Sequence, residues 1–139
     1  MSVFRFTFIA LLVAGLGTAA FADEMPRVDA ARFGFSPSAA AGKNVAALQE
    51  ALDGGHKVVS VAKPGIYDLD ATVYLDSHTR LVCGKGVMLR KAAPYSFMLV
   101  NRGVLTREWN EQIAIDGLHI DETAIEDIDL DRLAKIRGE

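Results

Sequence analysis

The chain has 139 residues, with 15 Lys and Arg against 18 Asp and Glu, a formal charge of −3 and a single cysteine. That length suits one domain with a modest core. The acidic balance and the lack of any basic run argue against a nucleic-acid partner, whose phosphates call for clustered Lys and Arg, and one cysteine excludes an internal disulfide.

The first 22 residues read as a targeting segment. Arg5 is the only charge ahead of an apolar run from Phe6 to Ala14, which relaxes into Gly15, Gly17, Ala19 and Ala20. Ala20-Phe21-Ala22 has the small-x-small form that signal peptidase cuts. The run is shorter than the roughly 20 residues that span a bilayer, and no basic stop-transfer cluster follows it. Residues 1–22 are therefore expected to be a signal peptide and Asp23 the first mature residue. The mature chain would carry a charge of −4, because Arg5 is the only charge removed. The product is expected in the periplasm or outside the cell, with no membrane association after cleavage.

Residues 23–43 are rich in Ala, Ser and Gly and read as an extended lead-in. From Asn44 the pattern turns helical. Val45, Leu48 and Leu52 recur on one face, Asn44 can cap, and Gly54-Gly55 stops the run, which predicts a helix of about ten residues.

Three passes of short apolar strands follow, so residues 44–139 read as one domain of capping helix and strands. Val59 and Val61, Ile66, and Val73 and Leu75 form the first pass. Leu81 and Cys83, Val87 and Leu89, and Phe97 and Leu99 form the second. Ile113 and Ile115, Leu118 and Ile120, and Ile128 and Leu130 form the third. The offsets are 22, 21 and 24 residues, then 32, 31 and 31. Near-constant offsets describe corresponding strands stacked ~4.8 Å apart. The fold expected on this pattern is all-β, a right-handed parallel β-helix of about three rungs behind a short N-terminal capping α-helix. Leu81, Cys83, Val87, Leu89, Ile113, Ile115, Leu118 and Ile120 should then face inward, with Cys83 as a small core residue. Pro64-Gly65, Asp76-Ser77, Gly84-Lys85-Gly86, Asn101-Arg102-Gly103 and Asp116-Gly117 supply corners. The longer second interval is explained by an insertion at residues 102–110, which carries Arg102, Arg107, Glu108 and Trp109. Loops projecting from such corners are where binding surfaces are built.

The chemistry is sparse. Asp127, Asp129 and Asp131 alternate with Ile128 and Leu130, so on a strand they share one face at ~6.6 to 7 Å, a separation that suits an inverting glycosidase. They are the candidate catalytic carboxylates, and the same three could hold Ca²⁺. A solvated strand face explains them as well. His56, His78 and His119 have no His or Cys at ligand spacing, so zinc is not expected, and no cofactor is required. Tyr67, Tyr74 and Tyr95 fit packing beside strands. Trp109 and Arg107, on the insertion, are the candidate substrate-binding residues, a pair suited to an acidic sugar.

Asn44-Val45-Ala46-Ala47-Leu48-Gln49-Glu50-Ala51-Leu52, the strand Val58-Val59-Ser60-Val61, the corner Pro64-Gly65-Ile66-Tyr67 and the segment Leu81-Val82-Cys83-Gly84 occur in that order. Together they resemble the amino-terminal portion of the pectate-lyase-like, polygalacturonase-type superfamily. The resemblance covers roughly residues 29–121 and implies a β-helix. It further implies the N-terminal portion of a secreted carbohydrate-active protein, a pectin- or polygalacturonate-type hydrolase or lyase, with polysaccharide as partner. No segment matches the family's catalytic aspartate pairs, its Gly-His-Gly or its Arg-x-Lys, so the chain is expected to be inactive alone. The alternatives are a non-catalytic glycan-binding or structural solenoid and a non-functional remnant. An unpaired last rung would also favour edge-to-edge self-association.

Overall fold

The computed structural model describes residues 26–94 and 97–123. The expected signal peptide, Tyr95 and the carboxylates Asp127, Asp129 and Asp131 lie outside the described residues. In chain order the elements are β1 (Arg27–Asp29), a 3-10 turn (Ala30–Phe33), α1 (Ala41–Asp53), β2 (Val58–Val61), β3 (Gly65–Leu69) and β4 (Val73–Leu75). They continue as β5 (Arg80–Cys83), β6 (Val87–Lys91), β7 (Leu99–Asn101), α2 (Gly103–Thr106), β8 (Ala114–Asp116) and β9 (Ile120–Asp121). Every strand pairing is parallel, and the strands form three sheets ordered β1-β2-β5-β8, β3-β6-β9 and β4-β7.

This corrects the expected all-β, three-rung right-handed parallel β-helix. A 13-residue α-helix, a short second helix and a 3-10 turn accompany strands of two to five residues. The chain is thus a mixed helix and strand structure, with its strands divided among separate small sheets. Among the described residues the β4-β7 sheet has no third strand, so no closed solenoid is formed.

The registers show which parts of the apolar pattern mislead. Val59 pairs with Leu81, the expected offset. In the second sheet Tyr67, not Ile66, pairs with Leu89 and faces the core, which leaves Ile66 on the outer face beside Met88. In the third sheet Val73 pairs with Leu99, and Phe97, read as a strand residue, is 67% exposed. Leu81 pairs with Ile115 rather than Ile113. The inward set is also corrected at its end. Leu81, Cys83, Val87 and Leu89 are buried, but Ile115 is 38% and Ile120 50% exposed, because no described strand lies over them.

The core runs between the sheets and under α1, through Leu48, Val59, Tyr67, Leu69, Leu81 and Leu89. Tyr67 can be buried because its hydroxyl donates to the Lys63 carbonyl at 2.7 Å while its ring stacks on Phe35 at 4.5 Å. Helix α1 begins three residues before Asn44, and Ala40 caps it without a side-chain bond. Asn44 lies inside the helix, fully buried, as a cross-link. Its Oδ1 accepts from Ser36 N at 3.0 Å and its Nδ2 donates to the Asp68 carbonyl of β3 at 3.2 Å. One turn on, Gln49 behaves like a peptide group toward β4. Its Oε1 accepts from Tyr74 N at 2.8 Å and its Nε2 donates to the Tyr74 carbonyl at 3.1 Å. Residues 27–29, within the expected lead-in, add β1 to the edge of β2.

Candidate functional site

The insertion between β7 and β8 is a braced loop. Gly103 opens α2, and its N–H is shared by the side-chain oxygens of Asn101 and Asn110. A side chain at Gly103 would lie 2.2 Å from the Glu108 carbonyl, so the loop closes on itself only around glycine. Arg107 ends α2 in the left-handed region, at φ 59°. The base of the loop is tied to the preceding pass through Ser77, whose hydroxyl takes bonds from Asn110 Nδ2 at 2.9 Å and Glu111 N at 3.2 Å. His78 N donates to the Glu111 carbonyl at 2.9 Å.

What the loop presents outward is apolar and aromatic. Trp109 is 99% exposed, and Val104 and Leu105 are also largely in solvent. Arg107 is exposed beside them. Removing an indole from all protein contact wastes its burial energy, so the arrangement suits a ring that stacks on a ligand. Arg102 is drawn the other way. Its guanidinium pairs with Asp53 and lies 6.0 Å over the Tyr74 ring, and its Nε is 2.9 Å from Asp76 Oδ2. That last contact lacks hydrogen-bond alignment, so it acts through charge alone. Arg102 therefore anchors the loop to α1 and does not join Arg107 and Trp109.

The titratable groups are mostly committed to structure. The Arg90 fork grips Asp68 at 2.5 and 2.8 Å and holds its carboxyl below the usual range. Asp121 is also lowered, first by the Thr123 hydroxyl and backbone N–H. Arg80 pairs with Asp116 at 2.5 Å. Burial pushes the Cys83 thiol up to about 11, which makes it a core residue and a poor nucleophile. His56 meets Phe33 edge-on, at 6.4 Å between ring centroids. Among the described residues no three His, Cys, Asp or Glu side chains come together to hold a metal ion, and no helix is long and apolar enough to cross a membrane.

Of the residues singled out in the sequence, the structure places Arg107 and Trp109 on one exposed loop, puts Tyr67 in the core and Tyr74 under Arg102, and leaves His119 apart. Ser77 and Asn110 escaped notice, because serine and asparagine at corners read only as turn formers. Comparison of the chain with protein-family models, with curated proteins and with solved structures finds no match.

Proposed function

We propose that this chain is an exported polysaccharide-binding protein that holds its glycan on the loop around Trp109 without cleaving it. The observation that carries the proposal is the fully exposed indole on a loop whose backbone is braced by Asn101, Asn110 and Ser77, an aromatic surface of the kind that stacks on a sugar ring. The resemblance of the Asn44–Leu52 helix and the Pro64-Gly65-Ile66-Tyr67 corner to pectate-lyase-like proteins supports polysaccharide as the ligand class. The signal-like residues 1–22 support export. The non-catalytic half of the proposal is supported by the sequence, in which no segment matches the catalytic aspartate pairs, the Gly-His-Gly or the Arg-x-Lys of the family it resembles.

Affinity electrophoresis or calorimetry against a panel of plant and bacterial polysaccharides tests the binding. Trp109→Ala should weaken it by about tenfold, near the value of one aromatic contact, and unchanged binding in that variant rejects the loop as the site. Reducing-sugar release and unsaturated-product absorbance on polygalacturonate, with and without Ca²⁺, should stay at background. Activity that disappears when Asp127, Asp129 and Asp131 are replaced by Ala would show an enzyme instead. The intact mass of exported protein should correspond to a chain starting at Asp23.

A further inference from the structure

The corners that precede the strands of the four-stranded sheet line up, and a groove of about 400 Å³ runs along them. Pro26 comes from the corner before β1, Lys57 from that before β2, His78 and Thr79 from that before β5, and Gln112 from that before β8, with Arg80 and Ala114 completing the wall. The lining contains two permanent cations and no carboxylate. Among the described residues nothing pairs with the Lys57 ammonium. Arg80 is held by Asp116 through its Nε, which leaves the terminal nitrogens of the fork without an acceptor among the described residues.

Two further observations set this groove apart from an ordinary corner. His78 and Gln112, on successive passes, both sit in the left-handed region, at φ 60° and 56°, where residues other than glycine are uncommon. Their side chains meet, with His78 Nδ1 2.8 Å from Gln112 Oε1. Two acids stand at the rim: Asp116 on Arg80, and Glu111, 3.7 Å from His78 Nε2 and itself largely in solvent. Backbone held in this region at two adjoining corners is a feature of binding sites. Gln112 is three residues along from Trp109, a span of at most about 11 Å of chain, so the loop is within reach of the groove's edge.

We infer that this groove is a carboxylate subsite: it takes the C6 carboxylate of an acidic sugar between Lys57 and the terminal nitrogens of Arg80, while Trp109 stacks on a neighbouring ring. The polymer-binding part of this inference rests on the function proposed above, and the carboxylate subsite itself does not. Guanidinium and ammonium donors select a carboxylate over the hydroxymethyl group of a neutral sugar because only the anion forms charge-assisted hydrogen bonds.

The test uses sodium glucuronate and glucose, which differ only at C6, with sodium sulfate as a third probe, all at constant ionic strength. Backbone amide shifts of His78, Thr79 and Gln112 in the full chain should saturate with glucuronate and stay fixed with glucose. Lys57→Gln and Arg80→Gln, both surface changes, should each weaken glucuronate binding at least fivefold, while Trp109→Ala should leave the monosaccharide shifts in place. Equal response to glucose, or unchanged affinity in Lys57→Gln, overturns the subsite. Sulfate that binds as tightly as glucuronate overturns its assignment to a sugar carboxylate. If polysaccharide fails to bind while the glucuronate shifts persist, the loop reading falls and the subsite stands.

Discussion

The two ends of the stacked strands solve the same problem in different ways. Toward the amino terminus each sheet has its first strand covered: β1 pairs with β2, Asn44 of α1 bonds to β3, and Gln49 of α1 bonds to β4. Toward β7, β8 and β9 no described residue does the same, and Ile115 and Ile120 stand partly in solvent. An unpaired strand edge is costly and adhesive. At the covered end a single helix supplies two carboxamides that imitate the peptide groups of a missing strand. What differs between the ends is therefore the partner available to the backbone.

The largest expected effect contrasts two residues paired across β5 and β8. Leu81→Ala empties a fully buried position and should cost about 2 to 5 kcal/mol in urea unfolding, whereas Ile115→Ala should cost below about 1 kcal/mol. Equal costs would mean that Ile115 is covered in solution and that the ends do not differ. Cys83 comes next. Its thiol is raised from 9.0 to about 11, so burial of the neutral form stabilises the fold fully below pH 9 and is lost as pH rises toward 11, a change of about 2 to 3 kcal/mol. Cys83→Ala should flatten that alkaline slope, and an unchanged slope would shift the effect to Tyr67, whose hydroxyl is also raised by burial.

Removing the carboxamides probes the covered end directly. Asn44→Ala strands Ser36 N and the Asp68 carbonyl and should cost about 2 kcal/mol, while Gln49→Ala, at a half-buried position that water can reach, should cost about 1 kcal/mol. The amides of Ser36 and Tyr74 should also lose protection in hydrogen exchange. If they do not, α1 covers the edges by packing alone. The smallest effect concerns acid. Because the Asp68 pKa is lowered by Arg90, the stabilisation it gives is complete above about pH 4 and declines as pH falls through its folded value. Arg90→Gln should remove that decline, as followed by fluorescence between pH 5 and 2.

Sequence reading succeeded where alternation is clean and failed where polarity misleads. Val59 and Val61 against Leu81 and Cys83 were legible because small apolar residues recur at every second position of both strands at a constant offset. Ile66 looked like the inward residue of β3, yet Tyr67 takes that place because the Lys63 carbonyl, close in space, accepts its hydroxyl. Phe97 and Ile113 were read as strand positions two residues early, since a local pattern does not say where the corner ends. Asn44 was read as a cap because asparagine at a helix start usually is one. Its long-range partners, like those of Gln49, exist only once the sheets are assembled. At the candidate site the exposure of Trp109 followed from an insertion in a regular spacing. The groove did not, because Lys57, His78, Arg80 and Gln112 are separated by up to 55 positions and share only their place around the starts of successive strands.

The short spacing of the registers has a consequence for how the chain folds. Val59 and Leu81 close a loop of 22 residues, and Leu81 and Ile115 one of 34. In the simplest chain-entropy treatment the two closures differ by only about 0.4 kcal/mol. No pass is entropically favoured over another, so order of synthesis rather than loop length decides which pairs first. A growing chain can dock β2 and β3 under α1 as soon as they emerge and then add each later strand to a neighbour already in place. Folding would advance from the covered end as a template, with the β8 and β9 edges the last to form and, on heating, the first to leave.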